Sequence, residues 1–310
     1  MSNSMFNRIL VAVDGSPASL HALKETFRLA RAERGWVAAV SVVPPHDGEL
    51  RLVGVSNIAE LMRAPAEKAL DDAARVAKQE GISLRTILLQ GEPHEAIVTL
   101  AEEGGYDLIA LGVKGYNLSD TVLMGSVTAR VIGYGETNVL VIPRESRLNW
   151  QRILVPIDGS PSSRAAADIA FRLFDSYGSE VTFATVADVP SHLYGISAQA
   201  VDRILSESRQ HLDEIRNEAA SREIDAEYIL REGEPAEILT EVAGKQESDL
   251  IVMGSHGRTG LTRLLMGSVT DRVIKNSGYP ILVVRNALSS VATDGLVRKP
   301  GRFAADMQGV

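Results

Sequence analysis

One stretch of this sequence occurs twice, and no other feature constrains the fold as tightly. Ile9-Leu-Val-Ala-Val-Asp-Gly-Ser-Pro-Ala-Ser19 returns 144 residues later as Ile153-Leu-Val-Pro-Ile-Asp-Gly-Ser-Pro-Ser-Ser163. Gly91-Glu-Pro93 returns as Gly233-Glu-Pro235, and Leu123-Met-Gly-Ser-Val-Thr-Ala-Arg-Val-Ile132 as Leu265-Met-Gly-Ser-Val-Thr-Asp-Arg-Val-Ile274, both 142 residues on. An offset that drifts by only two residues describes two copies of one domain-sized unit, not a solenoid of short repeats. A length of 310 residues suits two domains of ordinary size. The units are expected at 1–147 and 148–287, joined near Arg144 to Gln151. Periodicity stops near Asn286, so 288–310 reads as a flexible tail.

Each unit carries the same rhythm. An apolar, β-branched run (Ile9 to Val13; Ile153 to Ile157) reads as a strand. Asp-Gly-Ser-Pro then supplies a turn in which Ser16 or Ser160 suits an N-cap, and Pro17 or Pro161 the first helical position. Further strands are expected at Trp36 to Val43, Ser83 to Leu89, Asp107 to Leu111 and Asn138 to Ile142. Their counterparts are Val181 to Val186, Ala226 to Leu230, Asp249 to Met253 and Ile281 to Val284. Long helical patterns cover Ile58 to Glu80 and Ala198 to Glu223, and each Gly-Glu-Pro opens another helix. Short apolar strands alternating with helices predict right-handed crossovers and a parallel sheet covered on both faces. The fold class is therefore α/β, with two Rossmann-like domains, each a five-stranded parallel sheet flanked by helices. The last strand of each unit is apolar on both faces, and such an edge invites pairing.

Composition removes several kinds of function. The chain has no cysteine, which excludes disulfide staples, thiolate zinc sites and a cysteine nucleophile. A net charge of −8 argues against gripping a nucleic-acid backbone or an anionic bilayer. No apolar run approaches the roughly 18 residues of a membrane span, and the N-terminus lacks a signal-peptide pattern. Neither a nucleic acid nor a membrane is an expected partner, and a cytoplasmic location is expected. The histidines at 21, 46, 94, 192 and 211 show no ligand spacing, so no metal site is expected.

In open α/β sheets ligands sit beyond the C-terminal strand ends, which directs attention to the loops after the first and fourth strands of each unit. The fourth-strand loops carry Gly-x-x-Gly, nine residues, then Gly-Ser: Gly112, Gly115, Gly125 and Ser126 in the first unit, Gly254, Gly257, Gly267 and Ser268 in the second. Glycines at 254 and 257 are expected to allow close approach to a ligand and positive φ. Gly-Ser at a helix start offers free amides and a hydroxyl to an anion. Neither a Walker A loop nor the Gly-x-Gly-x-x-Gly of dinucleotide enzymes occurs.

On these motifs the sequence resembles the universal stress protein family in its tandem form, over roughly residues 5 to 286. The resemblance implies adenine nucleotide alpha hydrolase-like domains that bind ATP, or ADP or AMP, with magnesium able to accompany ATP. It implies that Asp14 and Asp158 meet the adenine side and that Val42 and Val186 lie against the base. It further implies that the glycine loops wrap ribose and phosphates, with Arg258 beside them. The hydroxyls of Ser126, Thr128, Ser268 and Thr270 and the backbone at Val127 and Val269 would face phosphate. Single-unit relatives pair through the last strand, so the two units are expected to form an internal pseudo-dimer, with homodimerisation of the whole chain open.

Plainer readings stand beside these. Asp14 and Asp158 could simply organise an Asp-Gly turn. Arg130 and Arg272 suit a salt bridge as well as a phosphate contact. His256 lies in the loop but has Lys114 as its counterpart, which argues against a shared acid–base role. Lys114, Tyr116, Asn117 and Leu118 stand where the second unit has His256, Arg258, Thr259 and Gly260, so the second site is expected to bind more tightly. The expected function is a nucleotide-binding stress-response or regulatory module. An interaction scaffold without nucleotide and a slow ATPase are the alternatives.

Overall fold

The computed structural model describes residues 5–45, 58–113, 125–257 and 266–285. The first unit runs β1 (Arg8–Ala12), α1 (Pro17–Glu33), β2 (Trp36–Val43), α2 (Ile58–Glu80), β3 (Leu84–Gln90), α3 (Pro93–Glu103), β4 (Leu108–Val113), α4 (Ser126–Tyr134) and β5 (Asn138–Pro143). The second runs β6 (Arg152–Pro156), α5 (Pro161–Tyr177), β7 (Glu180–Ala187), α6 (Leu193–Ile196), α7 (Ala198–Ser221), β8 (Ala226–Glu232), α8 (Pro235–Lys245), β9 (Leu250–Gly254), α9 (Ser268–Asn276) and β10 (Ile281–Val284). The short α6 was not among the expected elements. Its four residues include no buried side chain, so it lacks the apolar stripe by which helices are read from sequence.

The turns after β1 and β6 form as their residues dictate. Ser16 and Ser160 cap α1 and α5, accepting the amides of Ser19 and Ser163 at 3.2 and 3.1 Å, and proline takes the first helical position in each. Gly15 and Gly159 hold φ of +78° and +79°, which glycine adopts without strain.

All ten strands form one sheet in the order β3-β2-β1-β4-β5-β10-β9-β6-β7-β8. Pairing is parallel within each unit and antiparallel where β5 meets β10, through Val139↔Val283, Leu140↔Leu282 and Val141↔Ile281. The apolar edges of the two units cover one another, giving the internal pseudo-dimer. Strand order reverses between β1 and β4 and between β6 and β9, and each of those switch points opens a crevice at the strand C-termini.

Helices cover both faces. One buried cluster gathers Leu23 and Phe27 of α1, Ala69 and Leu70 of α2, Phe171 of α5 and Leu212 of α7. A second gathers Ile97 of α3, Ile132 of α4, Leu239 of α8 and Ile274 of α9. Each cluster contains residues of both units, so the cores run through the seam. The connection between the units is packed as well: Leu148 and Trp150 are buried, and the Leu148 amide donates to Glu25 of α1 at 3.0 Å. Among the described residues no helix is long and apolar enough to cross a membrane.

Candidate functional site

Asp158 stands at the second unit's switch point and uses its two oxygens differently. Oδ1 accepts the Ser160 amide at 2.9 Å, which builds the turn. Oδ2 faces the glycine loop, so that a Cβ on Gly257 would lie 2.8 Å from it. The turn thus uses one oxygen of the side chain and leaves the other toward the loop. In the first unit Asp14 Oδ1 accepts the Ser16 amide at the same 2.9 Å. Burial pushes the Asp14 carboxyl up, but hydrogen bonds from Ser16 and Ser19 outweigh it and hold the pKa below the ordinary 3.8. At neutral pH this group is an acceptor only.

Gly112 and Gly254 are required by packing. A Cβ on Gly254 would lie 2.7 Å from the Ser162 carbonyl carbon in the first turn of α5, and one on Gly112 would overlap the Ala18 carbonyl in the first turn of α1. Gly254 therefore admits the first turn of α5. Neither Gly254 nor Gly257 takes a positive φ, which corrects the expectation of left-handed backbone there. Gly267 packs close to the same loop: a Cβ on it would sit 3.3 Å from His256 Cα, and its amide donates to the Ser255 carbonyl at 2.9 Å.

The described part of the second loop is tied down by hydroxyls. Ser160 and Ser162 both donate to the His256 carbonyl, the former at 3.4 Å. Ser255 Oγ pairs with His256 Nδ1 at 3.0 Å. Thr270 is buried and its Oγ1 donates to the Gly254 carbonyl at 2.9 Å. Its hydroxyl proton therefore braces the end of β9. Thr128 is buried at the equivalent place, while Ser126 and Ser268 are exposed.

At the start of α9 the cap is Gly267, with no side-chain cap bond, and α4 likewise starts on Gly125. α3 and α6 also lack a side-chain cap bond, whereas α1, α5, α7 and α8 are capped by the side chains of Ser16, Ser160, Ser197 and Glu234. The first amides of a helix have no intrahelical acceptor, so those of Ser268, Val269 and Thr270, and of Ser126, Val127 and Thr128, carry the positive end of an uncapped helix. Val42 and Val186 are the half-exposed residues near the C-terminal ends of β2 and β7, strands otherwise buried beyond their first residue. In the second unit the Asp158 carboxylate and the start of α9 both lie against the 255–257 loop.

Gly115 and Arg258 lie outside the described residues, as do Lys114, Tyr116 to Leu118, Thr259, Gly260 and the segment 288–310. Arg272 pairs with Glu234 at 2.5 Å, so this arginine serves as a link between α9 and α8. Two residues beside the second site were absent from the expected site: Ser162, and His211 of α7, whose ring lies against Gly159 and whose Nε2 is buried without a hydrogen-bond partner among the described residues. The repeat itself holds their signal, because at its offsets their counterparts are Ala18 and Ala69.

A model of the universal stress protein family matches residues 5–143 and again 149–285. A universal stress protein of Methanocaldococcus jannaschii is 37% identical over 141 residues, 44% of this chain and 82% of that protein. One from Mycobacterium tuberculosis strain H37Rv is 29% identical over 304 residues, covering 89% of this chain and 94% of that one. The crystal structure of a universal stress protein from Archaeoglobus fulgidus shares the fold over 90% of this chain and 98% of its own, with a TM-score of 0.68 at 22% identity. Two successive matches to one family, on two units that share a sheet order and a glycine loop, establish that this chain belongs to the universal stress protein family as a tandem of two repeats.

Proposed function

We propose that the protein binds an adenine nucleotide, ATP ahead of ADP or AMP, and acts in the cytoplasm as a stress-response regulatory module whose state follows nucleotide occupancy. The observation that carries this reading is the meeting of Asp158 Oδ2 with Gly257 beside the uncapped start of α9. A carboxylate is an acceptor for the exocyclic amine of adenine, and half-exposed Val186 gives the base an apolar surface. The amides of Ser268, Val269 and Thr270 suit a phosphate at a helix N-terminus. Magnesium would enter with the triphosphate.

The reading is of binding, with hydrolysis at most slow. Fast phosphoryl transfer needs placed cations and a group that orients the attacking water, and the His256 ring is engaged by Ser255. The second site is the stronger in this proposal. Support comes from Ser162, which anchors the His256 carbonyl where the first unit has Ala18.

Calorimetric titration of the purified chain with ATP, alongside mass spectrometry of small molecules released on denaturation, tests it. Two unequal sites are expected. Gly257→Val, which drives a side chain onto the Asp158 carboxylate, should weaken the tighter one by about tenfold or more. Absence of released nucleotide together with no heat from ATP would overturn the reading in favour of a nucleotide-free scaffold.

A further inference from the structure

The two units carry opposite charge at the ends where their strands begin. In the first unit Trp36 and Tyr106 pack ring against ring with centroids 5.4 Å apart, and Trp36 stays 39% exposed. The Arg8 guanidinium lies over both rings, 5.2 and 5.8 Å from their centroids. Arg85, also exposed, stands close enough for its charge to act on the Tyr106 hydroxyl. Neither guanidinium forms an ion pair among the described residues. The nearby Asp107 carboxylate accepts the backbone amides of Asn7 and Arg8 instead.

The equivalent face of the second unit reverses the sign. At the repeat offsets Trp36, Ser83 and Arg85 become Glu180, Asp225 and Glu227. The strand registers place them alike: Trp36 lies opposite Arg8 as Glu180 lies opposite Arg152, and Arg85 opposite Ala38 as Glu227 opposite Thr182. All three carboxylates are exposed and none forms an ion pair among the described residues. Arg152 does not neutralise them, because its guanidinium is taken by Glu247 at 2.9 Å and Asp249 at 3.8 Å. Tyr106 becomes Ser248, and where the first unit has two rings the second has a hollow of about 410 Å³ floored by buried Thr182 and Ser248.

The seam decides where the two faces point. Strands run parallel within a unit, while β5 and β10 pair antiparallel. The strand starts of the first unit therefore lie along one edge of the sheet and those of the second along the opposite edge. A chain cannot bring its own two faces together, but a second copy can. Unpaired guanidiniums on one face match unpaired carboxylates on the other, and the exposed indole between the arginines has a hollow to enter. Trp, Tyr and Arg are the side chains that dominate protein interfaces, and complementary charge fixes how two surfaces register.

We propose that the Arg8–Trp36–Arg85 face of one copy docks into the Glu180–Glu227 hollow of a second copy, joining chains head to tail. Such a contact is heterologous, so every pair keeps one face of each kind free and growth does not stop at two. It uses the strand ends remote from Asp158 and Gly257, so it is independent of the nucleotide reading.

Sedimentation velocity of the full-length chain at low ionic strength tests the assignment, at up to about 0.5 mM because a contact of so few residues is transient. The average mass is expected to rise with concentration past that of two chains, and to fall back when salt is raised to about 0.5 M. Arg8→Gln with Arg85→Gln, or Glu180→Gln with Glu227→Gln, should each weaken association by about tenfold or more. All four positions are exposed. An equimolar mixture of the two double variants should form pairs of wild-type strength and stop there, since one supplies the only intact hollow and the other the only intact basic face. A wild type that stays a single chain, association unchanged in either variant, or a mixture that does not pair would overturn the proposal. So would a monomeric chain whose Trp36 fluorescence is quenched by a single-stranded oligonucleotide, which would assign the basic face to nucleic acid.

Discussion

Asp158 divides its two oxygens: one closes the turn after β6 and the other faces Gly257. The glycines of the neighbouring loop divide the same labour among themselves. Gly254 is held by contact with the backbone of α5, whereas a Cβ on Gly125 would meet nothing within 4 Å. Gly254→Ala should therefore cost about 1 to 3 kcal/mol of stability, the range for overpacking, and Gly125→Ala should stay within about 0.5 kcal/mol. Urea denaturation of the two variants beside the wild type measures the difference. At this scale the sequence disclosed the aspartates and the glycine spacing, because both are local patterns that occur twice. It hid Ser162 and His211, whose importance comes from the approach of α5 and α7 to loops about 50 to 95 residues away in the chain. Spacing within a motif cannot report such an approach.

Elements follow the same logic at their ends. Both α1 and α5 close on a left-handed residue, Arg34 with φ 54° and Gly178 with φ 66°. Glycine has no Cβ to strain there, and the Arg34 side chain is exposed. Arg34→Gly should accordingly stabilise the protein by about 0.5 to 1 kcal/mol, in line with the cost of the left-handed region for an L side chain. A rise in melting temperature of about 1 to 3 °C would show it, and an unchanged or lower midpoint would contradict it. The strands and the long helices were legible because apolar runs and stripes repeat at the same offsets in both units. Their limits were less so. β4 was expected to stop at Leu111 and continues to Val113, because pairing carries on to Val113↔Pro143, and register is a property of two strands together. The connection between the units carried no periodicity, yet Leu148 and Trp150 bury themselves against both units.

Across the whole molecule the seam is held by more than the β5–β10 pairing. Glu33, at the end of α1, accepts the amides of Met5 and Phe6 at 2.5 and 3.2 Å and the hydroxyl of Tyr177 from α5. Burial first, and the Glu33 carboxylate second, push the Tyr177 hydroxyl well above its ordinary range, so it stays a proton donor. Trp150 lies between Phe6 and Tyr177, with centroids 6.4 and 5.9 Å away. Two units with shared cores should unfold in one transition, the fluorescence of Trp36 and Trp150 falling together with the circular dichroism. Tyr177→Phe removes a partly buried bond to a charged group and should lower that stability by about 1 to 2 kcal/mol. Separate midpoints for the two signals in the wild type would contradict the coupling. The joined seam also bears on how such a molecule can diversify. Two identical subunits meeting through the same strand would have to accept every substitution twice, once in each partner. Here one half has a Trp36–Tyr106 ring pair where the other has Glu180 and Ser248. The chain is in effect a heterodimer whose partners can neither dissociate nor exchange, free to give each half a task of its own.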